Sequence, residues 1–557
     1  MSRPLPAALL VCSILTSGTL AAQEVRTWVE TRTEGVFVRT APAHVPAAPL
    51  ANPNPSPIAT RWTWNNPPGQ PWISEYVSVG NRGTLAWVGQ TLNAQMLAVC
   101  STTEDNSPPV PVWTVPMPGY GTVIVRAADD APVAAVSVRT SAGVPELRAY
   151  RAYQSTPLLQ TVLPLNANQL WAECDIDDAG RYLTAGYDNA SGHATVAVYD
   201  LLSANPTVPV QVLTSTTSGH REHRISGDGK TVLIATHRSD ALYDVATGNL
   251  LFEDGSAVSV DAHTIAHSAD TFARGGFDVG AWKRSGTSWN RVLTFNDATL
   301  GFGIYTACAL SKDGTTYAVA ATDANTYQLF RVFVWRLTST GSTLLWTYQS
   351  AGSGTLQTTP TAVSVSDDGR WIGVGSWGTG GNTPPEALLF DRDAGNVPVA
   401  TIDAPGSVFD LDLAPDGQFL LAGTKAVHAN TFGNGGIAYC LDRGGQGHRA
   451  KGTPAIGRGV IWETGGNPGE PVVLLTATAL LPIPVPVPGF VGTLELDLSQ
   501  SVLPPIVVGT VPAGGVHALA LTIPNAPSAV GVNLWSQTAR LGSPPEIENK
   551  LLHPILP

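Results

Sequence analysis

Histidines are concentrated in one stretch of this chain, and their chemistry is the most conspicuous that the sequence offers. Five of the eleven histidines lie between positions 220 and 267, namely His220, His223, His237, His263 and His267. An imidazole can titrate near neutral pH, act as a general acid or base, or bind a metal ion. The motif HREHR adds arginines and a glutamate to this stretch, and Asp261 lies close to His263.

This set predicts a polar ligand-binding pocket, for which the candidate residues are His220, Arg221, His223, Arg224, Asp261, His263 and His267. His223 and His267 are the candidate metal ligands, and an acid/base pair is a further option. The favoured interpretation is more conservative. In it, each histidine is buried and bonded to a neighbouring backbone group or carboxylate, while the arginines are solvated.

The other motifs in the sequence do not point to a specific chemical activity. The sequence contains no H-E-x-x-H, G-x-S-x-G or P-loop pattern, so we assign no catalytic residue and predict no cofactor. Five aspartates in turns could be mistaken for calcium ligands, but no D-x-D-x-D-G loop with a following Glu occurs. Several tryptophans could stack on sugars, although packing in the core is the favoured role: Trp62, Trp64, Trp72, Trp87 and Trp113.

An internal repeat must position these residues. Five segments share an alternating run, a polar turn and a second run of small and β-branched residues: DIDDAGRYLTAGYD (175–188), ISGDGKTVLIATH (225–237), LSKDGTTYAVAAT (310–322), VSDDGRWIGVGSW (365–377) and LAPDGQFLLAGTK (413–425). Weaker copies begin at residues 77, 123 and 265. Asp-Gly between two such runs predicts a tight β-hairpin.

Two more strand-like runs follow each hairpin, which gives four strands per unit. A four-stranded sheet of this length cannot bury both faces alone, so neighbouring units must pack face to face. The sequence therefore predicts an all-β fold with a β-propeller of eight blades, or of seven if one weak copy is an insertion. The segment IATRWTW (58–64) is predicted to pair with the last blade and close the ring.

The S-x-D-G turn signature and the Y-D-x-x-T-G turn at Tyr243–Gly248 resemble the bacterial propeller superfamily of WD-repeat-like, YVTN-type and quinoprotein-like repeat proteins. The resemblance covers about residues 58–445 and implies a structural motif, not an activity. The chain lacks the recurrent Gly-His and Trp-Asp pairs of WD repeats. It also lacks the Trp-docking motifs and adjacent cysteines of quinoprotein alcohol dehydrogenases. A quinone cofactor is therefore not expected.

The remaining segments complete the predicted organisation. Residues 1–22 have the pattern of a signal peptide, 23–57 form a Pro-rich segment, 58–445 the propeller and 446–557 an antiparallel β-sandwich. The last module is similar to the ends of secreted planctomycete-type repeat proteins, which implies an extracellular setting. Four cysteines follow the signal peptide, and we favour buried free thiols over disulfides.

Composition limits the function. The chain has 557 residues, 43% hydrophobic and 13% charged, with a net charge of -12, so nucleic acid is not an expected partner. We predict an exported, monomeric protein without a transmembrane segment, either periplasmic, secreted or attached to the cell surface. It is expected to bind a protein or glycan ligand noncatalytically through the loop face. The alternative is a polysaccharide lyase or hydrolase with the histidines of blades four and five as its site.

Overall fold

The structure is a computed structural model, and its regular secondary structure is almost entirely antiparallel β-strand. It describes residues 25–32, 35–42, 58–65, 73–91, 96–117, 123–139, 144–164, 172–255, 262–300, 303–352, 356–378, 385–431 and 435–557. Strands β1 (Val25–Arg32) and β2 (Gly35–Pro42) pair with each other, and β3 (Ala59–Asn65) follows. None of the helices in these ranges has the length and apolar character needed to cross a membrane.

Four four-stranded sheets come next. Blade 1 contains β4 (Ile73–Gly80), β5 (Leu85–Thr91), β6 (Met96–Ser101) and β7 (Trp113–Pro116). Blade 2 contains β8 (Val123–Ala127), β9 (Val133–Arg139), β10 (Pro145–Arg151) and β11 (Gln154–Val162). Blade 3 contains β12 (Glu173–Ile176), β13 (Tyr182–Asp188), β14 (His193–Asp200) and β15 (Gln211–Ser218). Blade 4 contains β16 (His220–Ile225), β17 (Thr231–Thr236), β18 (Asp240–Asp244) and β19 (Leu250–Asp254).

Four further sheets complete the repeat. Blade 5 contains β20 (His263–Ile265), β21 (Thr271–Arg274), β22 (Val279–Ser285) and β23 (Ser288–Phe295), followed by a 3₁₀ turn (Ala298–Leu300). Blade 6 contains β24 (Gly303–Leu310), β25 (Thr316–Asp323), β26 (Leu329–Thr338) and β27 (Gly341–Ala351). Blade 7 contains β28 (Pro360–Val365), β29 (Trp371–Ser376), β30 (Ala387–Asp391) and β31 (Ala400–Ile402). Blade 8 contains β32 (Val408–Leu413), β33 (Phe419–Thr424) and β34 (Ile437–Asp442), with β3 as its fourth strand.

The sheets form a closed ring, so the predicted eight-bladed propeller is confirmed. The first strand of each blade contacts the first strand of the next, and β32 of blade 8 contacts β4 of blade 1. The ring is sealed by β3, which pairs with β34 from Ala59 opposite Asp442 to Asn65 opposite Ile437. This is the closing strand that the sequence predicted, and its Trp62 is 1% exposed.

The repeated turn explains why each blade begins as it does. In blade 4 the Ser226 hydroxyl donates to an Asp228 carboxylate oxygen at 2.7 Å and accepts from the Thr231 backbone N–H at 3.0 Å. Gly229 follows with φ +71°, a conformation that favours glycine. The connection between β16 and β17 therefore has five residues, so it is longer than the predicted tight hairpin. Asp228 serves the turn itself, as expected.

Backbone hydrogen bonds from these turns join consecutive blades. The residue at the x position of each S-x-D-G-type turn bonds to the turn of the next blade. Asp178 of blade 3 donates its N–H to the Gly227 carbonyl of blade 4, and His267 of blade 5 donates its N–H to the Lys312 carbonyl of blade 6. The chain of bonds continues from Lys312 to Asp367 and from Asp367 to Pro415. The residues at the x position of the S-x-D-G-type turns therefore surround one end of the channel.

The C-terminal part folds as two main sheets around a shared core. A three-stranded sheet contains β35 (His448–Lys451), β36 (Gly459–Gly465) and β41 (Val516–Thr522). A four-stranded sheet contains β37 (Pro471–Ala477), β40 (Ile506–Thr510), β42 (Asn533–Arg540) and β43 (Glu546–Pro554), and β38 (Leu480–Pro486) pairs with β39 (Thr493–Leu496). Short 3₁₀ turns lie at Leu498–Gln500 and Pro527–Ala529. Trp462 of the first sheet and Leu474 of the second pack in one cluster.

The cysteines outside the N-terminal region are free thiols. Cys100, Cys174 and Cys440 are buried and Cys308 is half-buried, and none of the four forms a disulfide. Burial raises the pKa of the Cys174 thiol to about 12, so it is un-ionised at neutral pH. The preference for free thiols over disulfides is confirmed for these four residues.

Candidate functional site

The innermost strands of the eight blades surround a polar cavity of about 380 Å³ on the propeller axis. Charged side chains of both signs line it: Arg126, Glu173, Asp175, Glu222, Arg224, Asp410 and Asp412. These charges are unusual because the same strands otherwise bury alanine, valine and leucine between blades. Of this set, only Arg224 is among the predicted ligand-binding residues, and Glu222 was noted as the glutamate of the HREHR motif. The signal for the others was a charged residue inside a short apolar strand, as in VIVRA, ECDI and VFDLDL.

The carboxylates of the cavity also form hydrogen bonds between neighbouring blades. Asp412 accepts from the Ser78 hydroxyl at 3.0 Å and from the Val79 N–H at 2.9 Å in blade 1, and from the Ser364 hydroxyl at 3.1 Å in blade 7. The Arg126 guanidinium donates a hydrogen bond to the Asp410 carboxylate at 3.3 Å. Burial raises the pKa of Asp410 to about 6, although Arg126 opposes the shift. The wall is therefore a fixed array of donors and acceptors.

The candidate residues of the histidine-rich stretch separate into three places. The first is β16, where a β-bulge lies between His220 and Glu222. Strict alternation would put His220 and His223 on opposite faces, but the extra residue, Arg221, brings both rings to one face with centroids 5.4 Å apart. Glu173 of β12 approaches them, and the ligand atoms of the three side chains lie within 4.8 Å of one another. Among the described residues, this is the group of three that could hold a metal ion.

The two histidines of this group are neutral near pH 7. Burial lowers the pKa of His220 to about 4. Burial, together with neighbouring His220 and Arg224, also holds the pKa of His223 well below its usual range. A neutral imidazole is the form that binds metal ions.

The second place is a buried charge network between blades 4 and 5. His263 Nδ1 lies 3.1 Å from a Glu222 oxygen, and its Nε2 lies 3.1 Å from an Asp240 oxygen. Burial opposes a charge on His263, but Asp240 and Glu222 outweigh it and raise its pKa to about 9. His263 is therefore an imidazolium at neutral pH, and both ring nitrogens donate. Arg224 pairs with the other Glu222 oxygen.

The third place is the end of the channel where the turns after the innermost strands meet. His267 Nδ1 lies 2.7 Å from Asp178, and the Lys312 ammonium lies 2.8 Å from the same carboxylate. Asp130 and Asp367 each lie 3.5 Å from that ammonium. Burial raises the pKa of Asp367 to about 6, while Lys312 opposes the shift. His223 and His267, the two candidate metal ligands, thus belong to different clusters.

No protein-family model and no curated protein matches the chain. A similar solved structure is the one described as "Structure of Dos1 propeller", with 11% sequence identity and a TM-score of 0.48. The similarity covers 69% of this chain and 95% of that one. The propeller assignment therefore rests on the eight sheets and the ring formed by their inner strands.

One candidate residue and parts of the N-terminal prediction cannot be placed. Asp261 lies outside the described residues, as does the segment 1–22. The remaining candidates are all located: the structure brings His220, Arg221, His223 and Arg224 together on β16, and puts His263 and His267 in separate clusters on the neighbouring blade. Their convergence on a single pocket is not observed. Glu173, which completes the first cluster, was missing from the sequence prediction.

Proposed function

We propose that this protein is an exported, noncatalytic propeller that binds the hydroxyl-rich end of a glycan in its central channel. The observation that carries the proposal is the cavity of about 380 Å³ enclosed by fixed carboxylates and guanidinium groups. Its size lies within the roughly 300–1,000 Å³ typical of small-molecule pockets. A neutral ligand with many hydroxyl groups suits this wall, because each hydroxyl can donate to a carboxylate and accept from a guanidinium.

The pairing of charges supports a binding role. Arg126 is paired with Asp410 and Arg224 with Glu222, so the wall offers both signs at close range, and its excess of carboxylates disfavours an anionic ligand. An apolar ligand would leave these buried polar groups without water, at a high cost. Export is supported by the sequence of residues 1–22, with Arg3 before a short apolar run and small residues at its end.

The proposal predicts that filling the channel abolishes ligand binding. Ala309 lines the cavity on the innermost strand of blade 6, and Ala309→Trp would occupy much of its volume. We expect the wild-type protein to bind at least one oligosaccharide on a glycan array, and isothermal titration calorimetry of Ala309→Trp to show at least about a tenfold loss of affinity, or about 1.4 kcal/mol.

The matched control is Leu344→Trp on the outermost strand of the same blade, where the leucine is 45% exposed. This variant adds the same indole away from the channel and should bind like the wild type. Circular dichroism and melting temperature must show that both variants are folded. Equal glycan affinity for Ala309→Trp and the wild type would place the ligand elsewhere on the propeller, and the channel proposal would then be wrong.

A further inference from the structure

We propose that Glu173, His220 and His223 form a binding site for a divalent transition-metal ion, with zinc as the best match. The group lies between blades 3 and 4, where β12 supplies the carboxylate and β16 supplies both imidazoles. The site borders the proposed glycan pocket, because Glu173 also lines the central cavity, but Zn²⁺ binding and glycan binding are measured separately and either proposal can fail without the other.

The hydrogen bonds around His223 fix which of its nitrogens is available. The Thr184 hydroxyl donates its single proton to the Asp175 carbonyl at 3.2 Å. His223 Nε2 lies 3.0 Å from the same hydroxyl oxygen, which must therefore accept, so Nε2 carries the ring proton. His223 Nδ1 is left with its lone pair, and this buried atom has no hydrogen-bond partner. A metal-binding histidine is commonly held in this way by a bond from its other nitrogen.

His220 presents a second buried ring nitrogen beside that of His223. Its Nε2 is buried and has no hydrogen-bond partner. Its backbone N–H donates to Asp188 at 2.7 Å, which anchors this end of β16. Two ring nitrogens buried side by side without hydrogen-bond partners are costly unless something satisfies them, and a cation bound by both lone pairs would do so.

Gly186 provides the space on which these nitrogens converge. A Cβ atom at position 186 would lie 2.2 Å from His220 Nε2 and 2.4 Å from His223 Nδ1. Gly186 pairs with Glu173 across the β12–β13 ladder, so all three side chains surround this one backbone position. Any other residue here would displace both rings. The glycine is explained by the close approach of two ligand nitrogens.

The donor set selects the class of ion. Two neutral imidazoles and one carboxylate suit zinc and related first-row ions, whereas calcium and magnesium prefer oxygen ligands and copper(I) prefers sulfur. Zinc bonds of about 2.0–2.2 Å would draw the three ligand atoms together from their present separations of up to 4.8 Å. Three protein ligands leave a fourth tetrahedral position for water.

The test uses the full-length protein, stripped with a chelator and titrated with Zn²⁺ by calorimetry. We expect one Zn²⁺ per chain, and Co²⁺ loaded into the same site should give the visible absorption of a nitrogen- and oxygen-ligated ion. His220→Ala and His223→Ala should each weaken Zn²⁺ binding at least about 100-fold, and Glu173→Gln about tenfold or more. Zn²⁺ should raise the melting temperature of the wild type, and this shift should vanish in His220→Ala.

His267→Ala is the matched control, because it removes a histidine from the neighbouring blade and should leave Zn²⁺ affinity unchanged. Glu173→Gln keeps the shape of the side chain, so it tests the site even if His223→Ala fails to fold. Retention of the bound Zn²⁺ by both His220→Ala and Glu173→Gln would overturn the proposal. So would the absence of Zn²⁺ binding to the folded wild-type protein at millimolar metal.

Discussion

Arg274 shows how a single buried charge organises the space between two blades. It is 1% exposed, and its guanidinium donates to Asp240 at 2.8 Å and to Asp254 at 2.9 Å. The same group lies 4.9 Å from the ring centre of Trp282. Asp240 in turn holds His263, so the arginine balances a buried carboxylate on which the imidazolium also depends. Removing one member of such a network leaves an uncompensated charge in the core.

We therefore expect Arg274→Met to lower the free energy of unfolding by about 3–5 kcal/mol. Chemical denaturation monitored by tryptophan fluorescence measures this change. Arg284→Met, in the next strand of the same blade, replaces an exposed arginine and should alter stability by less than about 0.5 kcal/mol. A loss below about 1 kcal/mol for Arg274→Met would show that the network contributes little.

For individual residues, the sequence predicted several members of the histidine clusters but did not predict which side chains they contact. The HREHR motif identified His220 and His223, but the bulge at Arg221 that turns their rings to one face depends on how β16 pairs with β17. Glu173 comes from another blade, and no local pattern links it to position 220. His263 and His267 were grouped by sequence distance, yet their neighbours are carboxylates of different blades, Asp240 of blade 4 and Asp178 of blade 3.

Among the elements, β3 is the strand that joins the two ends of the ring. It is the outermost strand of blade 8, and the Trp62 indole crosses to blade 1, where it donates to the Ser101 carbonyl at 3.1 Å. Trp62 packs with Val77 of blade 1 and Cys440 of blade 8. One side chain thus links the first and last blades of the ring.

We expect Trp62→Ala to cost about 3–5 kcal/mol of stability, because it leaves a large cavity at the point of closure. Hydrogen–deuterium exchange should become faster in β34 before it changes in blades 3 to 6. Asn65→Ala, at the exposed end of the same strand, is the control and should exchange like the wild type. Uniformly faster exchange across the propeller would contradict a local role for this strand in closing the ring.

The regular elements could be predicted because the turn chemistry repeats. Ser226 and Asp228 hold their loop through contacts within five residues, so the same signature marks each hairpin wherever it recurs. The C-terminal module has no repeated turn signature, so strands such as β35, β36, β38, β40 and β43 carry no such local mark in the sequence. Their pairing is set by long-range packing, as in the contact of β36 with β41.

For the whole molecule, the C-terminal module is part of the packing of the propeller. Leu556 is fully buried in a cluster with Leu85 and Trp87 of blade 1. The Thr453 hydroxyl donates to Glu104 at 2.6 Å, and the Gly452 N–H donates to the Thr103 carbonyl at 2.8 Å. The module therefore covers blade 1, and its stability affects the propeller.

Acid should loosen this module through two buried histidines. His448 and His553 both contact the Ser536 hydroxyl, and burial lowers their pKa values to about 4 and about 3. Both stay neutral in the folded protein, whereas the unfolded chain binds protons below about pH 6.5. Stability contributed by these groups is therefore complete above that pH. It is lost as the pH falls toward 4, by up to about 1.4 kcal/mol per pH unit for each histidine.

Scanning calorimetry at about pH 7 and about pH 5 measures this effect. The double variant His448→Gln/His553→Gln should lose less stability between the two pH values than the wild type, whatever its stability at neutral pH. Val507→Gln, at a 66% exposed position of β40 in the same module, introduces no titrating group and is the control that should keep the wild-type slope. Identical slopes for all three proteins would rule out the histidine pair as the source of acid sensitivity.

The pairing of β3 with β34 also has a consequence for biogenesis. Arg61 and Asp442, which form an ion pair across this junction, are 381 residues apart in the chain. A ribosome must synthesise seven complete blades before the partner of the first propeller strand exists, and contacts of such long sequence separation form slowly. Until then the growing arc has two open ends that can pair with other chains, so ring closure is the step of folding with which aggregation competes.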